Sequence, residues 1–463
     1  MHQLYYQPDG YWFGDCMPFC HDGQFYLFHQ RDTRMPGPFG EPFGWALART
    51  TDFVHYEDLG EVLERGGDDA QDQFIFAGSI FAADGVFYAM YTGYNRDYPA
   101  QGKPSQVLML ATSTDLLHWH KTPEKLVMPQ SGYDPYDWRD PYVFHNDATS
   151  EFVMILGARK LDGRKVRTGR TVAFTSTDLK QWDFQGDFWA PDLYAMHEMP
   201  DIFQMGDMWY LLTTEYSDRC KTVYRMSASL DGPWRAPADD AFDGRAYYAA
   251  RSCSDGERRY LFGWVPTKED DDDRNNWQWG GTLVVHEVTQ RADQSLGVKP
   301  PTGVAAAFAP ARALRDAPLT LHSQDAAVDA LLARETGDLF KFEADITFTE
   351  STRAFGIRLY EDVATGDAYT FLINLAEQRL TFDRTPNLPW FRYMNIGLER
   401  PLRLNVGVTY RLQLIVDGSI ATLYVDGVAL NARMYARPGQ ALALYVVDGE
   451  LNVSNATLAQ GVA

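Results

Sequence analysis

Three evenly spaced copies of one short pattern constrain this chain more than any other feature. Thr51-Asp52-Phe53-Val54-His55-Tyr56 recurs as Thr114-Asp115-Leu116-Leu117-His118-Trp119 and as Thr177-Asp178-Leu179-Lys180-Gln181-Trp182. Asp52, Asp115 and Asp178 follow one another at intervals of 63 residues, and a looser copy, Ser229-Leu230-Asp231-Gly232-Pro233-Trp234, comes after them. A fixed period of this size means one supersecondary unit stacked or set radially about an axis. Five strand-like runs accompany the markers: Gln24–Phe28, Val86–Tyr91, Phe152–Leu156, Met208–Leu212 and Arg259–Trp264. They are rich in aromatic and branched residues, most follow turn formers, and helical periodicity is scarce. Five units of about four strands each predict an all-β fold, a five-bladed β-propeller over residues 1–300. The repeated Asp and Trp read as ties within each turn, not as catalysts.

Residues 296–312 hold three prolines and no clear period, so they read as a connection. The expected division is a propeller over 1–300, a linker over 301–315 and a β-sandwich over 316–463. In the last part Phe340–Ile346 and Tyr410–Leu414 alternate apolar and polar residues, and Asp417-Gly418 and Asp426-Gly427 give hairpin signals.

The net charge of −21 argues against nucleic acid and anionic lipid as partners. The start, Met-His-Gln-Leu-Tyr-Tyr-Gln-Pro, lacks the basic and apolar regions of a signal peptide, and no run approaches a membrane span. Cys16, Cys20, Cys220 and Cys253 form neither a disulfide framework nor a metal pattern. Reduced thiols and a cytoplasmic location are therefore expected. Glu269–Asp273 lacks the alternation and Gly of a calcium loop and reads as a solvated acidic loop. No metal or organic cofactor is implied, and oligomeric state is not readable.

Three carboxylates sit in rigid contexts: Asp15 in Trp12-Phe13-Gly14-Asp15-Cys16-Met17-Pro18-Phe19, Asp140 in Trp138-Arg139-Asp140-Pro141, and Glu198 in His197-Glu198-Met199-Pro200-Asp201. Two carboxylates suffice to cleave a glycosidic bond, and a third can hold the sugar and stabilise positive charge. In order and context the three motifs resemble glycoside hydrolase family 32, the invertase and fructan-hydrolase family. Arg139-Asp140-Pro141 is similar to its Arg-Asp-Pro signature, and Glu198-Met199-Pro200-Asp201 to its Glu-Cys-Pro-Asp signature with Met for Cys. Asp15 falls where the family carries its nucleophile, but Gly-Asp-Cys-Met-Pro replaces Asn-Asp-Pro-Asn-Gly, without the Asn that helps grip the fructosyl ring. Phe76-Ala77-Gly78-Ser79, Leu27-Phe28-His29-Gln30 and Gly263-Trp264 with Trp279-Gly280-Gly281 extend the resemblance over most of residues 1–300.

The resemblance implies a retaining β-fructofuranosidase acting on a small oligosaccharide or fructoside. Asp15 would be the nucleophile, Glu198 the acid/base and Asp140 the transition-state stabiliser, with Arg139 keeping Asp140 ionised. It also implies substrate contacts from Arg139, Gln30, Trp45 as a pocket-lining aromatic, Phe76, Ser79 and Trp264. Tyr194 and His197 flank the acid/base and could shape the leaving-group side. Other readings stay open from residues alone: an inverting arabinofuranosidase or xylosidase, a fructosyltransferase, and a sugar-binding protein without catalysis.

Overall fold

The computed structural model describes residues 2–37, 39–122, 127–389 and 395–462. Five antiparallel units occupy the first three hundred residues. Their first strands are Trp12–His21, Phe74–Ala83, Tyr133–Asn146, Glu198–Met205 and Tyr248–Ser254, taken here as the inner strands of blades 1 to 5. Each contacts the next, and the fifth contacts the first, which closes a ring around an axis. The expected strand-like runs all exist, but they are the second strands: Gln24–Asp32, Val86–Tyr94, Glu151–Lys160, Met208–Glu215 and Arg259–Lys268. Blades 5 and 1 join into one sheet where Phe13 pairs with Gly281.

The 63-residue repeat is a turn device. Hydroxyls of Thr50, Ser113 and Ser176 accept from the amides of Phe53, Leu116 and Leu179, each 2.9 Å away. Those three residues have φ of 62°, 66° and 59°. Asp52, Asp115 and Asp178 then cap the following amides at 2.8–3.0 Å. Such local side-chain bonds stabilise a left-handed turn residue that a strand would not tolerate.

Every inner strand carries a bulge at the same height. Pairing skips between Phe13 and Cys16, Phe76 and Gly78, Arg139 and Tyr142, Glu198 and Asp201, and Tyr248 and Arg251. Asp140, Met199 and Ala249 take the same bulge position in blades 3, 4 and 5, with φ of 63°, 50° and 53°. An extra residue re-aims the side chains around it. The bulges thus make a ring of non-regular backbone around the channel.

The C-terminal part is a two-layer sandwich whose sheets share long strands. Ala441–Gln460 pairs with Ala354–Glu361 through its first half and with Leu339–Phe348 through its second. It bends at Asp448 and Gly449, both at positive φ, so one bonded path runs through both layers. The Asp426-Gly427 signal is a two-residue hairpin with both φ positive.

Two expectations need correction. The connecting segment is ordered structure: Leu296–Lys299 pairs with Glu287–Gln290, and a 3₁₀ turn spans Thr302–Ala307. Proline and low periodicity hid an edge strand that a proline follows immediately. The acidic run is not wholly solvated either. Asp273 is buried and accepts from the Tyr435 and Ala436 amides and the Tyr369 hydroxyl. It ties the end of blade 5 to the sandwich.

A second tie lies at the N-terminus, where the Asp417 carboxylate accepts the amides of Gln3, Leu4 and Tyr5 at 2.9, 2.8 and 2.8 Å. Among the described residues no helix is long and apolar enough to cross a membrane. Asp417→Ala leaves these amides without their acceptor. It should lower stability by about 2–4 kcal/mol, measured by urea unfolding, while Asp417→Asn should lose less.

Candidate active site

The bulge ring brings the three acids together. Asp15, Asp140, Glu198, Arg139, Gln30 and Phe76 all line one cavity of about 340 Å³ at one end of the channel. All three acids precede their blades' strand-like runs in sequence. They lie inside the inner strands, at or beside the bulges.

Blade 5 supplies partners for two of them. Trp264 Nε1 donates to Asp15 Oδ1 at 3.1 Å. The Tyr248 hydroxyl donates a short hydrogen bond to Glu198 Oε2. The two rings are 5.1 Å apart on paired strands, so they bridge Asp15 and Glu198 from below. Arg139 reaches Glu198 Oε1 at 2.7 Å and Asp137 Oδ1 at 2.7 Å, and its Nε lies 3.7 Å from Asp140 Oδ2. Its main partner is therefore Glu198, not Asp140 as expected. Asp140 Oδ2 accepts the Met199 amide at 3.0 Å, which joins the bulges of blades 3 and 4.

The electrostatics follow from this crowding. Burial pushes the Asp15 carboxyl up to about 8, and the negative charges of Asp140 and Glu198 add to it. Trp264 and Arg251 pull the other way. Burial also raises Glu198; Arg139 opposes this, Asp140 reinforces it, and the Tyr248 hydrogen bond opposes it. Arg139 loses by burial but is held well above its usual value by Glu198, then Asp140 and Asp137. With two acids raised, the cluster keeps a proton near neutral pH. That proton belongs to the coupled set rather than to one residue. Such a site can present an ionised carboxylate and a protonated one together, the pair that glycosidic cleavage needs.

An aromatic wall faces the acids. Phe76 stacks on Tyr94 at 4.3 Å, Phe39 contacts Phe76 and Trp279 edge-on, and Trp279 meets Trp264 at 5.5 Å. Trp279 explains Gly14. A Cβ on Gly14 would come within 2.3 Å of the Trp279 ring. Where the resemblance calls for Asn, an indole fills the space instead.

Some expected residues stand elsewhere. Trp45 does not line the pocket: it is fully buried and donates its indole N–H to Phe76 O at 3.1 Å, so it supports Phe76 from behind. Ser79 faces the opposite end of the channel, where its hydroxyl accepts the Val143 amide at 3.1 Å. The bulge at Ala77 turns it away. Trp264 does not line the cavity and touches Asp15 with its edge. Gln30 does line the cavity, and its Nε2 donates to Ile75 O at 3.3 Å. His197 is buried against Trp189 and Thr171, and Tyr194 bonds Arg225, so neither shapes the pit. Burial holds the His197 imidazole down to about 3, hence neutral. Tyr248 and Asp137 were not singled out in the sequence, and Trp279 was noted there only within a motif and given no role. Tyr248 occupies in blade 5 the place of Glu198 in blade 4 and Arg139 in blade 3, a correspondence that only the strand pairing reveals.

Comparison with known proteins agrees with this geometry. Residues 5–300 match the family model of the glycosyl hydrolases family 32 N-terminal domain, and residues 311–460 match that of the family's C-terminal domain. The chain belongs to glycosyl hydrolase family 32. It is a glycoside hydrolase by that membership. Over 461 residues it is 25% identical to a raffinose invertase of Escherichia coli, covering 94% of this chain and 90% of that one. A sucrose-6-phosphate hydrolase of Escherichia coli is 24% identical, covering 95% and 88%. Among solved structures, the sucrose-6-phosphate hydrolase of Lactobacillus gasseri superposes with a TM-score of 0.78 at 18% identity, covering 100% of this chain and 93% of that one. The exo-inulinase of Aspergillus awamori gives 0.77 at 18% identity, covering 100% and 98%. At these identities the superpositions speak for the fold.

Tyr248→Phe removes a donor that favours ionised Glu198. The basic limb of the pH–activity profile should move to higher pH by about one unit. A limb at its original position would exclude that hydrogen bond as a control on Glu198.

Proposed function

We propose that this family 32 enzyme hydrolyses β-fructofuranosidic bonds in sucrose-type or fructo-oligosaccharide substrates, with retention of configuration. Asp15 attacks the anomeric carbon. Glu198 protonates the leaving oxygen and then deprotonates the incoming water. Asp140 accepts hydrogen bonds from ring hydroxyls, made stronger by its charge. Arg139 and Tyr248 hold Glu198 in position, and Gln30 and Phe76 line the sugar pocket. The observation that carries this reading is the single cavity lined by Asp15, Asp140 and Glu198. The names of the raffinose invertase and the exo-inulinase support the substrate class.

A retaining cycle needs Asp15 ionised and Glu198 protonated as the first half-reaction begins. The separate sides of the cavity, with Asp15 backed by Trp264 and Glu198 by Arg139 and Tyr248, give the two acids distinct surroundings.

A second, narrower reading concerns the leaving group. The stretch Arg159–Arg170 carries Arg159, Lys160, Arg164, Lys165, Arg167 and Arg170 in a chain of net charge −21. Arg164, Lys165 and Arg167 are exposed and make no ion pair among the described residues. Their loop is tied to the acid/base: Thr168 accepts from Arg159, Arg159 pairs with Asp137, Asp137 with Arg139, and Arg139 with Glu198. A phosphorylated leaving sugar suits this surface.

Glu198→Ala should lower kcat on sucrose by about 10²–10⁴; with aryl fructosides bearing good leaving groups it should spare kcat/KM, which reads fructosylation, but not kcat, because Glu198 also deprotonates the incoming water. Asp15→Ala should abolish turnover of both, with folding unchanged by circular dichroism. NMR of the first-formed product should show the β-anomer of fructose; an initial α-anomer would mean inversion. Comparing kcat/KM for sucrose and sucrose 6-phosphate in the parent and in the triple Arg164→Ala, Lys165→Ala, Arg167→Ala variant tests the second reading. A selective loss for the phosphate ester supports it, and equal effects contradict it.

A further inference from the structure

The channel holds a second cavity, of about 230 Å³, farther along the inner strands from the acids. Ser79, Tyr142, Ser252, Arg259 and Arg251 are among the residues that line it. Arg251 stands between the two cavities and is only 1% exposed. It extends from the blade 5 bulge across the axis. Its Nη2 donates to Asp140 O at 2.8 Å, and its Nη1 donates to Gly78 O and, at 3.4 Å, to Pro141 O. One side chain from blade 5 therefore fastens the bulges of blades 2 and 3.

Arg251 makes no direct ion pair among the described residues, and its Nε has no partner. Burying a guanidinium without a carboxylate against it is costly unless dipoles and nearby anions compensate. Here three carbonyl dipoles do so at close range. The ionisable groups that face it are Asp140, Asp201, Tyr142, Asp15 and Cys16, and Arg259 lines the same cavity. Asp201, on the blade 4 inner strand, accepts the Ser252 amide at 2.6 Å through one oxygen and leaves the other unbonded.

We propose that Arg251 is a positioning residue that pins the Asp140 bulge from the far side of the axis and sets a buried positive charge behind Asp15 and Asp140. The catalytic consequence rests on the reading of Asp15 as the ionised nucleophile. Around Asp15, Asp140 and Glu198 oppose its ionisation and Arg251 favours it, with the Trp264 N–H as its direct donor. Without Arg251 the carboxyl becomes harder to ionise. Activity that needs ionised Asp15 is then lost at higher pH as pH falls. Asp201 acts in the opposite sense, because it offsets part of the Arg251 charge.

The test is kcat/KM against pH for Arg251→Met, Arg251→Lys and Asp201→Asn, paired with ¹³C-carboxyl NMR titration of Asp15 in the same proteins. Arg251→Met should move the acidic limb, and the Asp15 titration, up by about one pH unit, with kcat falling more than KM changes. Arg251→Lys should return the limb to within a few tenths of the parent while lowering Tm, because it restores charge but not the three carbonyl bonds. Asp201→Asn should move both readouts down. If Arg251→Met does not fold, Asp201→Asn and Arg251→Lys decide the matter. An unmoved Asp15 titration in folded Arg251→Met, or an upward or absent shift in Asp201→Asn, overturns the proposal. The titration reads Asp15 without turnover. A parent inactive on fructosides would therefore count against the substrate reading, and an unmoved titration against Arg251.

Discussion

Mutual repulsion among three carboxylates in one pit, one buried and two half-buried, is the constraint around which the rest of this molecule is organised. Asp140 is 3% exposed and Asp15 and Glu198 lie in the same pit. Like charges this close do not stay ionised without support. The fold answers with donors aimed at each acid: Trp264 at Asp15, Met199 N at Asp140, and Tyr248 with Arg139 at Glu198. Burial and this repulsion raise both Asp15 and Glu198. A site built so is poor for stability and well suited to chemistry that needs an acid and a base side by side.

The propeller makes this possible because its inner strands converge without being regular. A flat strand would alternate its side chains strictly and place at most every second residue at the axis. The bulge at one height in all five blades breaks that alternation. It also accounts for three non-glycine residues at positive φ in blades 3, 4 and 5, held by bonds that cross from blade to blade. Among the described residues, the sandwich contributes none that lines the pit. It docks through Asp273 and Asp417, two buried acids that each collect several backbone amides and so hold the two parts together.

Much of this was legible before any coordinates. Even spacing of Asp52, Asp115 and Asp178 announced repeated units, and proline and aromatic neighbours marked Asp15, Asp140 and Glu198. The inner strands of blades 1, 3 and 4 were not legible as strands, because Pro18, Pro141 and Pro200 sit in them and proline argues against a central strand. Those prolines belong to the same non-regular stretches that aim the acids. Trp45 and Ser79 were misplaced for a related reason: sequence order cannot tell which face a residue takes once a bulge has intervened. Arg251 and Tyr248 gave no signal as single residues. Their meaning depends on partners in other blades, 50 or more positions away in sequence.

The central claim is that Asp15 and Glu198 act on one sugar from two sides, through a fructosyl group held covalently on Asp15. Intact-mass and peptide mass spectrometry of Glu198→Ala, mixed with an aryl fructoside and quenched early, tests it most directly. The account predicts a mass gain of one fructosyl residue, located on the peptide that contains Asp15. Turnover of the aryl fructoside with no adduct, or an adduct on any other residue, would contradict it.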